Sequence, residues 1–305
     1  MRKILFIISA LFISSGFVFG QSVQFLNITP DARTISMGNT SVAMSANAFA
    51  IYNNTAATIF RKGGAIAASY TMWQPKFSKN NLINLSGYSR VGEKFALAAG
   101  FRYFNYPSQE IINGEGISAG SFSPKEYSIS FGGAYLIAPS LSAAVNINYT
   151  SSSIGKESEG SAVSGDISLM YKINKISLGL SANNIGSKVD YGYSKYNLPM
   201  RIRVGAGISE LLANDKHNIA ANIEAGYLVE ESSVFAGIGA EYNYNKMLFF
   251  RLGGYCGDKQ KAMPPFASIG VGFNIKGVVL NGAYLLAGSD SPLKNTISIS
   301  LGYEF

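Results

Sequence analysis

The last eleven residues, Asn295–Phe305, hold the pattern that most constrains this chain. Ile297, Ile299, Leu301, Tyr303 and Phe305 fall on one face of an extended strand, and Ser298, Ser300, Gly302 and Glu304 on the other. The apolar face is unbroken and ends on an aromatic. An ordinary amphipathic edge strand would leave it unpaired, whereas a closed barrel in a membrane pairs both edges and turns that face to lipid. The same alternation recurs from Gly63 onward, and no stretch within that region is long and apolar enough to form a membrane helix.

The beginning of the chain fits export. Met1-Arg2-Lys3 is basic, Ile4 to Phe19 is apolar, and Val18-Phe19-Gly20 precedes the polar Gln21-Ser22, as in a secretory signal peptide over residues 1–20. No cysteine stands at that cleavage site, so a lipoprotein is not expected. Composition agrees with a strand-built membrane protein. There are 33 Gly, 18 Tyr and 19 Phe, only 14% of residues are charged, and mean hydropathy is a mild +0.14. The formal net charge of +7 is spread along the chain without a basic cluster, which argues against nucleic-acid binding.

Residues 21–62 lack sustained alternation and are rich in Ala and Asn, which predicts a short helical or irregular segment tucked into a barrel as a plug or hatch. Residues 63–305 read as a transmembrane, antiparallel, up-and-down all-β barrel of about fourteen strands, an even number as single-chain outer-membrane barrels prefer. The expected strands are 64–72, 81–91, 94–104, 125–137, 141–151, 161–173, 176–184, 199–209, 217–228, 233–242, 246–256, 266–275, 278–287 and 295–305. Long connectors, such as 73–80, 105–124, 152–160, 185–198, 257–265 and 288–294, alternate with tight turns such as Asn174-Lys175 and Lys276-Gly277. The outer connection at Glu230–Ser232 is a short exception. A periplasmic β-sandwich is the competing architecture.

Alternation also assigns faces. Phe95, Leu97, Phe101, Met200, Ile202, Val204, Phe250 and Leu252 point to lipid, while Arg102, Asp166, Lys172, Arg201, Arg203, Glu224, Glu241 and Arg251 point to the lumen. Arg201, Arg203, Glu224, Glu241 and Arg251 come from successive strands with complementary signs. They predict either a salt-bridged filling or a polar, ion-selective path. The inward Gly, Ala and Ser positions leave room for a plug or a small channel.

Residue chemistry points away from catalysis. His217 is the one histidine and sits at an expected turn, so a His-based triad or His-rich metal site is excluded within the chain. Cys256 is the one cysteine and has no internal disulfide partner. There is no phosphate-binding Gly-rich loop. No catalytic, cofactor-binding or metal residue is assigned, and the expected class is non-enzymatic with no cofactor. The outer connectors carry Trp73, Phe77, Tyr106, Tyr191, Tyr193 and Tyr196. These fit an interfacial girdle or, as an alternative, a docking surface for a protein partner.

Several motifs in order carry a resemblance. Phe25-Leu26-Asn27-Ile28-Thr29-Pro30-Asp31-Ala32-Arg33, Met37-Gly38 and Ala48-Phe49-Ala50-Ile51-Tyr52-Asn53-Asn54 resemble the opening of the PorV family, FadL-related outer-membrane barrels of Bacteroidota. Ser69–Pro75, Phe101–Phe104, Gly120–Glu126, Asn184-Ile185-Gly186 with Leu198-Pro199, and Ser291–Thr296 continue the likeness over nearly the whole mature chain. The chain departs from the family where it has Asn54-Thr55-Ala56 in place of Asn-Pro-Ala. The resemblance implies a bacterial outer-membrane location and a non-enzymatic role in a type IX secretion-like or other outer-membrane export or assembly complex. Its implied partners are the bilayer, a translocon or cargo domain, and the barrel-assembly machinery, with Tyr303 and Phe305 as the terminal signal that machinery reads. The more distant FadL relatives imply the alternative, a transporter of hydrophobic small molecules.

Overall fold

The computed structural model describes residues 23–112, 116–155, 158–213 and 216–305. The expected signal peptide lies outside the described residues. Fourteen antiparallel strands close into a barrel. In chain order they are β1 Gly64–Trp73, β2 Asn80–Val91, β3 Phe95–Asn105, β4 Lys125–Ala138, β5 Leu141–Gly155, β6 Ser158–Ile173 and β7 Ile176–Gly186. They continue with β8 Arg201–Ala213, β9 His217–Leu228, β10 Ser233–Tyr244, β11 Leu248–Gly257, β12 Phe266–Ile275, β13 Val278–Ala287 and β14 Ile297–Glu304. Each strand pairs with its sequence neighbours, and β14 pairs with β1 from Met72↔Ile297 to Ala65↔Glu304. Gly64 and Phe305 then exchange backbone hydrogen bonds of 2.9 Å, so the last residue extends the seam beyond the strand.

The faces follow the period of two. Ile297, Ile299, Leu301, Tyr303 and Phe305 are exposed, whereas Ser298 and Ser300 are buried; Ser298 and Thr71 share a 2.7 Å hydrogen bond across the seam. Phe95, Leu97, Phe101, Ile202, Val204, Phe250 and Leu252 are likewise exposed, as the alternation requires. Apolar side chains outside and hydrogen-bonded polar ones inside invert the pattern of a water-soluble protein, because the surrounding solvent is lipid. No helix among the described residues is long and apolar enough to cross a membrane.

Two connector readings are refined. The stretch 152–160 is not a long loop: β5 runs to Gly155 and β6 starts at Ser158, with Ser153↔Glu159 still paired. Polar serines here alternate as well as apolar residues do, so a hydrophobicity pattern could not see the strands continue. The connector 105–124 folds into its own hairpin, Gln109–Ile112 with Ser118–Phe122. Within 185–198, Val189–Asp190 pairs with Lys195–Tyr196 and with Ser161 of β6.

The core of the molecule lies inside the barrel, and residues 23–62 form much of it. They run through a 3-10 turn at Gln24–Asn27, α1 at Ala32–Ser36, α2 at Ala50–Asn53 and a 3-10 helix at Thr55–Phe60. Asp31 caps α1 by accepting from Thr34 N–H at 3.1 Å. Phe25, Ile35, Met37, Ile51 and Ile59 are fully buried, each contributing about 1.5–3 kcal/mol of hydrophobic stabilisation. Thr55 starts the last turn, and its hydroxyl lies 2.9 Å from Asn146 Oδ1 on the wall. Proline, common at a first helical position, could not make that bond.

Close approach explains some inward glycines. At Gly253 and Gly239 a side chain would strike the backbone of Met37 and Gly38, and at Gly179 that of Val42. At these three positions backbone packs on backbone.

Candidate functional site

Arg102, Arg203, Glu224 and Glu241 reach from the wall and grip residues 23–62, whereas Lys172 lines a cavity with Arg61 and Glu304. Arg102, on β3, donates from Nη1 to Leu26 O at 3.1 Å, from Nη2 to Phe25 O at 3.1 Å and Ile28 O at 2.5 Å, and from Nε to Asn84 Oδ1 at 3.2 Å. Its guanidinium also lies over the Tyr52 ring, 4.9 Å from the centroid. Arg203, on β8, donates to Asn53 O at 2.6 Å and Ser41 Oγ at 2.6 Å, and pairs with Glu224 at 3.5 Å. Glu224 in turn accepts the backbone N–H groups of Ser41 at 2.6 Å and Val42 at 2.8 Å.

A second cluster binds α1. Arg251 pairs with Glu241 at 2.6 Å, and Arg33 of α1 pairs with the same carboxylate at 3.2 Å. The neighbouring Arg201 makes only long contacts, 3.4 Å each, to Asn27 O and Tyr52 O. Buried charges of this kind are tolerable only when their hydrogen bonds are satisfied, and here the backbone of the inserted segment supplies many of the partners.

The sequence places these charges in one lumen, with opposite signs meeting across strands. The structure adds what an alternation pattern cannot carry, namely that carbonyls and N–H groups of the segment are partners as important as the opposite charges. Asn84 and Asn146 were missed as members of this network, which also includes the expected inward Asp166, an acceptor from Asn146 Nδ2 at 3.2 Å. Asn84 Nδ2 donates to Pro30 O at 3.0 Å, and Asn146 Nδ2 to Ile51 O at 3.0 Å. Asp166 accepts from Asn184 N at 2.8 Å, where the register between β6 and β7 shifts. Their signal was present: inward asparagines on strands, where Asn is otherwise depleted.

Two cavities flank the segment. The larger, about 1010 Å³, lies on the side of the longer connectors. Gln24, Phe25, Asn27, Ile28 and Thr29 contribute to its floor, Trp73, Phe104, Tyr106, Phe235 and Tyr255 to its walls, and Gln260–Pro264 to its rim. Short periplasmic turns and longer external loops make this the outer face. The other cavity, about 390 Å³, opens among Arg61, Lys172, Lys246 and Glu304 at the periplasmic end.

The six outer aromatics divide. Phe77 (60% exposed) and Tyr193 (65%) project from the surface, whereas Trp73 (7%) and Tyr191 (5%) are buried in an apolar cluster with Phe25, Leu198 and Leu293. Tyr106 and Tyr196 pack partly buried against that cluster. The Tyr106 hydroxyl donates to Glu126 at 2.9 Å, and burial together with that carboxylate pushes the phenol's pKa up, so it stays a donor. Tyr303 and Phe305 lie on the exposed face at the seam, with stacked rings 6.3 Å apart.

Comparison with known proteins gives a consistent picture. The family model described as type IX secretion system protein PorV matches residues 15–232. Among solved structures, the Ralstonia pickettii toluene transporter TbuX superposes with a TM-score of 0.64 at 14% identity, covering 93% of this chain and 100% of that one. The P. putida toluene transporter TodX gives 0.66 at 14% identity, covering 90% and 98%. A Pseudomonas aeruginosa FadL homologue gives 0.59 at 11%, covering 91% and 99%. At such identities the likeness is one of fold. No curated protein sequence matches significantly.

Proposed function

This chain belongs to the PorV family of type IX secretion system proteins, a barrel of the bacterial outer membrane, and from that premise we propose that it is a non-enzymatic, protein-binding component of a secretion or export complex. Its partner in this reading is a second outer-membrane protein of the apparatus or the C-terminal domain of a secreted cargo. Residues 21–62 act as the plug, and the barrel-assembly machinery receives the chain through its terminal strand.

The observation that carries the reading, beside the family match, is the clamped lumen. Arginines at 102 and 203 hold the inserted segment by its carbonyl oxygens, and with Glu224, Glu241 and Arg251 they put buried charge across the lumen where a passage for apolar molecules would need hydrophobic walls. Binding then falls to the outer surface, where Phe77 and Tyr193 offer exposed aromatic anchors.

Affinity purification of the tagged chain in mild detergent, followed by mass spectrometry, tests this. Co-purification of other outer-membrane or secreted proteins is expected, and the double substitution Phe77→Ala/Tyr193→Ala should weaken it while the barrel stays folded. A chain that purifies alone and binds toluene or a long-chain lipid saturably would overturn it.

A further inference from the structure

The positive charges are scattered in sequence, yet the up-and-down winding gathers their surplus at one end of the barrel. The inner connections, 61–63, 92–94, 139–140, 174–175, 214–216, 245–247 and 276–277, carry seven Lys or Arg against two acids, Glu93 and Asp215. Lys62, Lys94, Lys175, Lys216, Lys246 and Lys276 supply six of the seven, one from every connection except Pro139-Ser140. The outer connectors, 74–79, 106–124, 156–157, 187–200, 229–232, 258–265 and 288–296, carry eight Lys against eight Asp or Glu. The periplasmic rim is a basic collar, and the outer rim has no net charge.

The collar surrounds the mouth of the periplasmic cavity of about 390 Å³, and the surplus continues inside it. Five cations line that cavity against three acids. Arg33 and Arg251 share the one carboxylate of Glu241, and Glu304 pairs with Arg61. The third acid, Glu210, is exposed and forms no ion pair among the described residues. Lys172, half-buried on the inner face of β6, and Lys246, exposed in the β10–β11 turn, have no described carboxylate within ion-pair distance. Both line the cavity.

Water and salt screen each of these charges, so a small anion on one lysine gains little. A ligand with several linked carboxylates gains from many at once, because the collar draws it in and every further contact is made within one complex. Lipid headgroups of the inner leaflet reach the outside of the collar but not Lys172 within it. A hydrocarbon brings no charge at all. An acidic stretch of polypeptide brings carboxylates for the lysines and backbone amides for Ser177, Asn222 and Asn243, whose side chains share the cavity lining.

We propose that the periplasmic mouth of the barrel docks an acidic segment of a periplasmic protein. Its side-chain carboxylates lie on Lys172 and Lys246, and the lysine collar holds the residues that flank them. The choice of a protein as occupant rests on the export-complex reading above, and it adds a second binding face on the opposite side of the membrane.

Fluorescence anisotropy with the purified full chain in non-ionic detergent tests this. The probe is a rhodamine-labelled octaglutamate, acetylated and amidated so that only side chains carry charge, and an alternating Lys-Glu octamer is the neutral control. Saturable, salt-sensitive binding of octaglutamate is expected, with roughly ten-fold or weaker affinity for the control. Lys172→Gln/Lys246→Gln should weaken octaglutamate roughly ten-fold, whereas Lys259→Gln/Lys261→Gln, an equal change in net charge on the outer rim, should leave it unchanged. Heat-modifiable gel mobility shows that each variant is folded. Should the inner pair not fold, Lys62→Gln/Lys94→Gln on the collar takes its place with the same expected direction. Equal loss in the inner and outer pairs, no loss in the inner pair, or equal binding of the control would overturn the proposal. Displacement by equimolar inorganic phosphate would overturn it too, as would loss of binding in nanodiscs when phosphatidylglycerol is added to phosphatidylcholine, which assigns the collar to lipid. In any of those cases a protein complex that still co-purifies would leave the export reading standing. Octaglutamate binding with the expected lysine dependence, by a chain that purifies alone, would support the periplasmic site and count against that reading instead.

Discussion

At the scale of the residue, single polar side chains decide whether the inserted segment stays in place. Arg102 satisfies three carbonyls within Phe25–Ile28, so Arg102→Ala leaves buried acceptors without donors. The expected loss is on the order of 3 kcal/mol of segment docking. Faster amide exchange over Val23–Ile28, with β1–β14 still protected, would check it. Lysine at this position should rescue only part of the protection, since a point charge cannot fork to three oxygens. Gly179 provides a steric counterpart. A valine there would meet the Val42 backbone, so Gly179→Val should release Ser41–Ala43 and expose the segment to added protease. Unchanged cleavage in that variant would show that the wall can give.

At the scale of the element, the terminal strand and the inserted segment depend on each other. Arg61, at the end of the segment, pairs with Glu304 of β14 at 2.9 Å, beside the hydrogen bonds between Gly64 and Phe305. Deleting Phe305 removes a backbone pair and an exposed aromatic from the seam. It should therefore lower the amount of barrel in the outer membrane several-fold, whereas Ser300→Ala should change it little. Quantitative blotting of outer-membrane fractions compares the two, and equal levels would count against the seam's importance. Displacing the segment should also open the lumen. A chain with Arg102→Ala and Arg203→Ala together is expected to conduct ions in planar bilayers far more than the unaltered chain, since the wall then faces water rather than the segment's carbonyls.

At the scale of the whole molecule, the closed hydrogen-bonded ring should make the barrel resist detergent until heated. Unboiled samples should run faster on denaturing gels than boiled ones, and the circular dichroism spectrum should be dominated by β structure. A single mobility at all temperatures would contradict closure in the purified protein. The external apolar belt and the polar interior are two halves of one pattern. Lipid stabilises the first, and the inserted segment satisfies much of the second.

Strand number, strand faces and the lipid-facing belt were legible in the sequence, because alternation at period two is a local consequence of the extended backbone. Leu97 against Arg102, or Ile299 against Ser300, declares its side without reference to any other strand. The inward charges were legible as a set for the same reason. Their partners were not, since the carbonyls of Phe25, Leu26, Ile28 and Asn53 belong to every residue type alike and leave no mark in a sequence. Nor could spacing tell that Trp73 and Tyr191 turn into the outer core while Phe77 and Tyr193 turn away. Only closure of the barrel around residues 23–62 decided those contacts. It brings groups more than 70 residues apart, such as Arg102 and Ile28, to hydrogen-bonding distance, which no local preference specifies.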